Sequence, residues 1–121
     1  MGQGPVYPIG LGRDGNLGLL DTATVDGRFY LKTLWFSAPN YAGPVLIRGG
    51  RIDGDASVSF GVGDRYGLEE LRLPVQGWAY SDGVDPSWRQ WPSTTGVPTT
   101  GCYAYQVDGS AFTLHIVFRI V

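Results

Sequence analysis

The chain has 121 residues, a formal net charge of −2 and no run of 18 consecutive apolar residues. That length suits one domain with a substantial core, and the apolar pattern excludes a spanning helix. With Lys32 as the only lysine and a slightly acidic balance, there is no electrostatic case for nucleic acid. Charged residues are only 17%, while Gly 19 and Pro 8 are high for the length, so many turns and few helix formers point to an all-β chain. The lone Cys102 excludes an intrachain disulfide and a cysteine-based zinc site. The opening MGQGPV has neither the basic nor the apolar region of a signal peptide and no myristoylation pattern, so an export signal is expected to be absent from this sequence.

Residues 1–16 read as an irregular, glycine-rich lead-in, with at most a short edge strand near residues 17–20. Asp26-Gly27 marks a turn before FYLKTLWF, whose two largely apolar faces suit a central strand with Trp35 in the core. SAPNYAGP is a loop, VLIR is a short strand that Gly49-Gly50 is expected to break, and SVSF is another strand. Residues 61–67 read as a glycine-rich loop, and residues 70–73 as a strand ended by Pro74. Residues 76–80 suggest a further short strand, and SDGVDP a loop. Residues 88–91 are expected to be extended near a sheet edge because Pro92 follows, and STTGVPTT to be a polar connection.

The last stretch, GCYAYQVDGSAFTLHIVFRIV, reads as two strands joined by a two-residue type I′ turn at Asp108-Gly109. That turn would pair Val107 with Ser110, Tyr105 with Phe112 and Tyr103 with Leu114. One face then collects Tyr103, Tyr105, Val107, Phe112, Leu114, Ile116 and Phe118 as a core face. Short strands at intervals of roughly ten residues with turn signals between them describe a single β-sandwich of about seven to nine antiparallel strands over residues 1–121.

TTGCYAYQVDG, followed by a strand ending VFRIV, resembles the end of a family of bacterial exported proteins, often lipoproteins. In that family a GCW or GCY run opens the penultimate strand. DGNLG is similar to the family's opening motif, and LKTLWFSAPNYAGPVLIRGGRIDG to its tryptophan-containing block, with GRID standing where the family has GRRLD. Trp35, Gly50-Arg51, Asp53 and Gly101-Cys102-Tyr103 come in the family's order. The resemblance implies export to the cell envelope or the extracellular space and an immunoglobulin-like sandwich. It implies no activity, and the upstream cysteine that anchors such lipoproteins is not in this sequence. Gly101-x-Tyr103 also resembles the tyrosine corner of immunoglobulin-like penultimate strands, with Tyr105 where the disulfide cysteine would stand.

Several groups of residues could carry chemistry. Cys102 falls opposite His115 in the register above, and a cysteine beside a histidine can act as a thiolate nucleophile, the basis for a small hydrolase. The plainer reading is a structural cysteine. Asp53, Asp55 and Asp64, or Asp82 with Asp85, could gather oxygen ligands for calcium, but neither set has the spacing of a calcium loop, and aspartates beside glycines are ordinary turn formers. Gly61-x-Gly63 is not a phosphate loop, since no lysine or helix start follows. Lys32 has no matched asparagine for an isopeptide crosslink. Trp78, Tyr80, Trp88 and Trp91 lie around a polar loop, and exposed aromatics there would form a platform for sugars or a protein. The reading is therefore a non-enzymatic accessory or interaction domain without cofactor or metal, its partner an unknown protein or glycan. The alternatives are a carbohydrate-binding module using Trp78, Tyr80, Trp88 and Trp91, and the Cys102/His115 hydrolase.

Overall fold

FYLKTLWF forms the middle of the longest described strand because its alternation turns Phe29, Leu31, Thr33 and Trp35 toward the core while Tyr30, Leu34 and Phe36 cover the outer face of the sheet. In the computed structural model, which describes residues 4–9, 16–17, 23–79 and 83–121, this strand is β4 (Arg28–Ser37). Its inward residues Leu31, Thr33 and Trp35 are buried, and its outward Lys32 is exposed. The other strands among the described residues are β1 (Val6–Ile9), β2 (Asn16–Leu17), β3 (Ala23–Val25), β5 (Val45–Arg51), β6 (Ser59–Val62), β7 (Arg65–Leu68), β8 (Leu71–Leu73), β9 (Arg89–Val97), β10 (Gly101–Asp108) and β11 (Thr113–Ile120). One sheet runs β1-β4-β9-β6-β7, with β3 also on β4, and the other runs β2-β11-β10-β5-β8. The orders β1-β4-β9-β6 and β11-β10-β5 are those of the immunoglobulin-like sandwich. All pairs are antiparallel except β2 with β11, which is parallel. The strand β8 departs from a simple meander, crossing back to pair with β5 after the β6–β7 hairpin.

The core is the space between the sheets, filled by alternate residues of both. Trp35 and Tyr105 are fully buried and meet edge to face at 4.9 Å between ring centroids, while Tyr105 also stacks on Phe118 at 4.3 Å. This aromatic contact joins β4 to β10 across the sandwich, and Tyr105 occupies the position where the resemblance places a disulfide cysteine. Tyr103 donates its hydroxyl proton to the Thr99 carbonyl at 2.8 Å, four residues upstream, which is the bond of a tyrosine corner.

A chain of hydroxyls threads the same core. Tyr105 Oη lies 2.7 Å from Thr95 Oγ1, Thr95 Oγ1 lies 2.9 Å from Thr33 Oγ1, and Thr33 donates to the Leu31 carbonyl at 3.2 Å. If each hydroxyl donates to the next, every proton in the row is used, which is what burial of polar groups requires. Burial pushes the Tyr105 phenol from 10.0 up to about 12, against a smaller lowering by the threonine hydroxyls. The raised value means that the folded state holds the neutral phenol. Its contribution is complete below pH 10 and is lost as the pH climbs from about 10 to 12, at up to about 1.4 kcal/mol per pH unit. Urea titrations at successive alkaline pH values should show this slope, and Tyr105→Phe should remove it; an unchanged slope would assign alkaline unfolding to other groups.

Several expectations are corrected. Asp108 pairs with Thr113, Val107 with Leu114, Tyr105 with Ile116 and Tyr103 with Phe118. The turn is therefore a four-residue loop closed by Gly109 N–H to the Phe112 carbonyl at 2.9 Å, not a type I′ turn. Asp108 fixes this closure by accepting from Thr113 Oγ1 at 2.8 Å, Gln106 Nε2 at 2.9 Å and Arg48 Nη2 at 3.1 Å. Tyr41 clamps it from outside, with its ring against Phe112 and its hydroxyl accepting from Ser110 N–H. The slip from the expected register is four residues, an even number, so the core face is preserved: Tyr103, Tyr105, Val107, Ile116 and Phe118 are buried, and Phe112 and Leu114 are half-buried.

Gly49-Gly50 does not break β5. A Cβ on Gly49 would sit 3.0 Å from Val58 Cβ and 3.1 Å from the Ala104 carbonyl, so glycine serves close packing there. Residues 61–67 are not a loop but most of the β6–β7 hairpin, turned at Gly63, whose φ is +59°. Residues 76–79 form no strand beyond the isolated bridge Ala79 to Gln90, and residue 80 lies outside the described residues. The expected strand at residues 17–20 is β2 at its first position, and its remainder also lies outside them. The largest correction is β9, which is central and includes most of the expected connection. It pairs with β4 along its whole length and with β6 from Thr94 to Gly96. Pro92 is tolerated because β6 ends its pairing at Thr94, leaving no ladder partner on that flank.

Candidate binding face

Of the four aromatics expected to form one platform, the three described ones, Trp78, Trp88 and Trp91, are separated. Trp91 follows Gln90 into β9 with its side chain inward; it is fully buried, and its Nε1 donates to the Gln76 carbonyl at 3.2 Å. Trp88 lies just before the strand, where a turn closed by Trp88 N–H to the Asp85 carbonyl leaves it half-buried on the opposite face. Trp78 is 42% exposed on a different hollow, and Tyr80 lies outside the described residues. A single Trp78–Trp91 platform is therefore not formed, because strand alternation sends Trp91 into the core.

An apolar face does form around Trp88, from residues on three neighbouring strands. On the outer side of the six-stranded sheet, Tyr7 pairs with Phe36, and Ile9 with Leu34, which in turn pairs with Pro92. Ile9 is 54% exposed, although Val6 and Pro8 of the same strand point inward and are buried. Trp88 leans on Tyr7 with ring centroids 6.3 Å apart. Two shallow hollows open on this face and share Ile9. One, of about 530 Å³, lies over Lys32, Leu34, Pro92 and Thr94; the other, of about 610 Å³, lies over Tyr7, Phe36, Val84, Asp85 and Trp88. Asp85 accepts from Ser87 N–H at 2.9 Å and Ser87 Oγ at 2.8 Å, and these bonds, the backbone one first, hold its carboxyl below the usual range. The sequence signal for Tyr7 and Ile9 was the alternation in VYPI, hidden in a stretch whose glycines read as irregular.

A separate hollow of about 690 Å³ lies at one end of the other sheet, walled by Pro44, Leu46, Leu73, Pro74 and Trp78, with Arg72 and Asp108 at its rim. Hydrogen bonds from Gln106, then Thr113, then Arg48 hold the Asp108 carboxyl low.

The other candidate groups are not assembled among the described residues, and Asp82, the partner expected for Asp85, lies outside them. Cys102 pairs with Arg119, and His115 with Gln106; four strand positions, about 14 Å, separate the two residues of the proposed hydrolase pair. Asp53 is engaged by Arg51 Nε at 2.6 Å and by Cys102 N–H at 3.4 Å, and the guanidinium contact is the main reason that its carboxyl lies low. Among the described residues no three His, Cys, Asp or Glu side chains gather as a metal site, and no helix is long and apolar enough to cross a membrane. Lys32 is exposed on the outer face, opposite Thr94. Comparison of the chain with protein-family models and with curated proteins gave no match.

Proposed function

We propose that this domain is a non-enzymatic interaction module of the cell envelope or extracellular space, and that it binds a protein partner on the outer face of the six-stranded sheet. The observation that carries the reading is the continuous apolar surface of Tyr7, Ile9, Leu34, Phe36, Trp88 and Pro92, with Ile9 54% exposed at its centre. A contiguous apolar surface with an aromatic anchor and a polar rim is the anatomy of a protein-binding patch. The resemblance to exported bacterial proteins supports the location. Capture experiments on envelope and secreted fractions should retain a partner with the wild-type domain and lose it with Trp88→Ala and with Ile9→Asp, both folded by circular dichroism. Retention by both variants would refute this face as the site.

A second reading rests on Trp78. An indole 42% exposed beside Arg72 and Asp108 offers a stacking surface for a sugar ring with hydrogen-bonding groups at its edge. Binding on a glycan array that Trp78→Ala abolishes and Trp88→Ala leaves intact would select this reading.

A further inference from the structure

We propose that the protein partner is a second copy of this chain: the outer face of the six-stranded sheet self-associates about a two-fold axis near Ile9 that sets Lys32 of each copy beside Asp85 of the other. The proposal rests on reading that face as an interaction surface.

Charge placement carries the argument. The two hollows share only Ile9, and each holds one charged residue: Lys32 in the first, Asp85 in the second. They sit at opposite ends of the apolar surface, since Lys32 lies four positions along β4 from Phe36, which lines the Asp85 hollow. A two-fold axis through the shared residue exchanges the hollows, so each positive end meets a negative end and the apolar centres meet one another. That is the self-complementarity an isologous interface requires. Both charges are available within one copy. Lys32 is exposed and has no ion-pair partner among the described residues. The Ser87 bonds to Asp85 both fall on Oδ1, and they keep the carboxylate ionised at neutral pH. Edge-to-edge growth of the same sheet is blunted at β1 by its four-residue length and by Pro8, which has no N–H to donate. The face, rather than that edge, is thus the surface suited to a second copy.

The test is charge exchange followed by sedimentation velocity over a wide concentration range. Wild type should show a concentration-dependent dimer that weakens as salt is raised. Lys32→Glu alone and Asp85→Lys alone should each raise the dissociation constant at least about tenfold, because both contacts of the dimer become repulsive. An equimolar mixture of the two variants should dimerise again, since each contact then pairs opposite charges. Ile9→Asp should be monomeric in every combination. The exposed positions of these residues leave the fold intact, which thermal melts verify. A monomeric wild type, a dimer indifferent to both charge changes, or a mixture that stays monomeric overturns the proposal. A monomeric wild type that still captures a different protein through Ile9 and Trp88 overturns only the self-association and leaves the interaction module standing; capture that ignores both residues refutes the face itself.

Discussion

Trp35→Ala should lower the stability of the domain by about 3–5 kcal/mol, the transfer and cavity cost of removing a large core aromatic. Trp35 is fully buried, faces Tyr105 edge to face at 4.9 Å, and lies on β4 directly opposite Trp91 of β9. Its loss removes the contact that joins the two sheets at the position where the related fold uses a disulfide. The milder variant Trp35→Phe separates packing from polarity. The buried Trp35 Nε1 has no hydrogen-bond partner, and an unmet buried donor costs about 1–3 kcal/mol. Phenylalanine keeps a ring against Tyr105 and deletes that donor, so its loss should be well below that of alanine. Urea midpoints with an unchanged m-value measure both. Equal losses for the two variants would show that the indole nitrogen finds a partner.

Faces were legible in the sequence; registers were not. Alternation in CYAYQV and LHIVFRI places Tyr103, Tyr105, Ile116 and Phe118 inward whichever even register is adopted, because side-chain period is 2. The turn itself depended on partners far along the chain. Asp108 satisfies its carboxylate with Arg48 as well as Gln106 and Thr113, and Tyr41 packs on Phe112. Local turn chemistry at Asp108-Gly109 contains neither Arg48 nor Tyr41, and the four-residue loop follows from them.

The same limit hid the central strand β9. Ser93 and Thr95 look like loop residues, yet both are buried, Ser93 donating to the Thr33 carbonyl at 2.9 Å and Thr95 joining Thr33 and Tyr105. Polarity points outward only until a partner is found inside. For the candidate site, the aromatic richness of residues 78–91 was visible, but its division between the core and two surfaces was set by where β9 begins. Ile9 and Tyr7 entered the face only through pairing with β4, a contact that no local pattern encodes.

Arg89→Ala should cost about 3–4 kcal/mol, although the residue belongs to no ion pair among the described residues. The guanidinium sits at the head of β9 and donates to four oxygens: the Val75 carbonyl at 2.7 Å, the Gly43 and Tyr41 carbonyls at 2.9 Å each, and Ser37 Oγ at 3.2 Å. It also lies over the Trp91 ring, 4.8 Å from its centroid. Partial burial disfavours its charged form and lowers its pKa, yet at neutral pH it stays protonated. Each bond from a charged donor contributes on the order of 1.5–3 kcal/mol, and four that share one planar group and offset its desolvation do not add in full. Deletion also leaves carbonyls of two separate loops without that donor. Arg89→Lys is the sharper test. An ammonium on a flexible stem cannot span carbonyls that a planar fork reaches in different directions, so lysine should recover less than half of the loss. Amide exchange should then quicken in residues 38–44 and 74–79, the segments that the arginine ties down, while the centre of the β10–β11 ladder stays protected. Since Pro44, Pro74 and Trp78 wall the hollow of about 690 Å³, this variant should loosen that hollow and spare the face around Ile9. A loss under about 1 kcal/mol for alanine would show that packing alone holds the two loops to the sandwich.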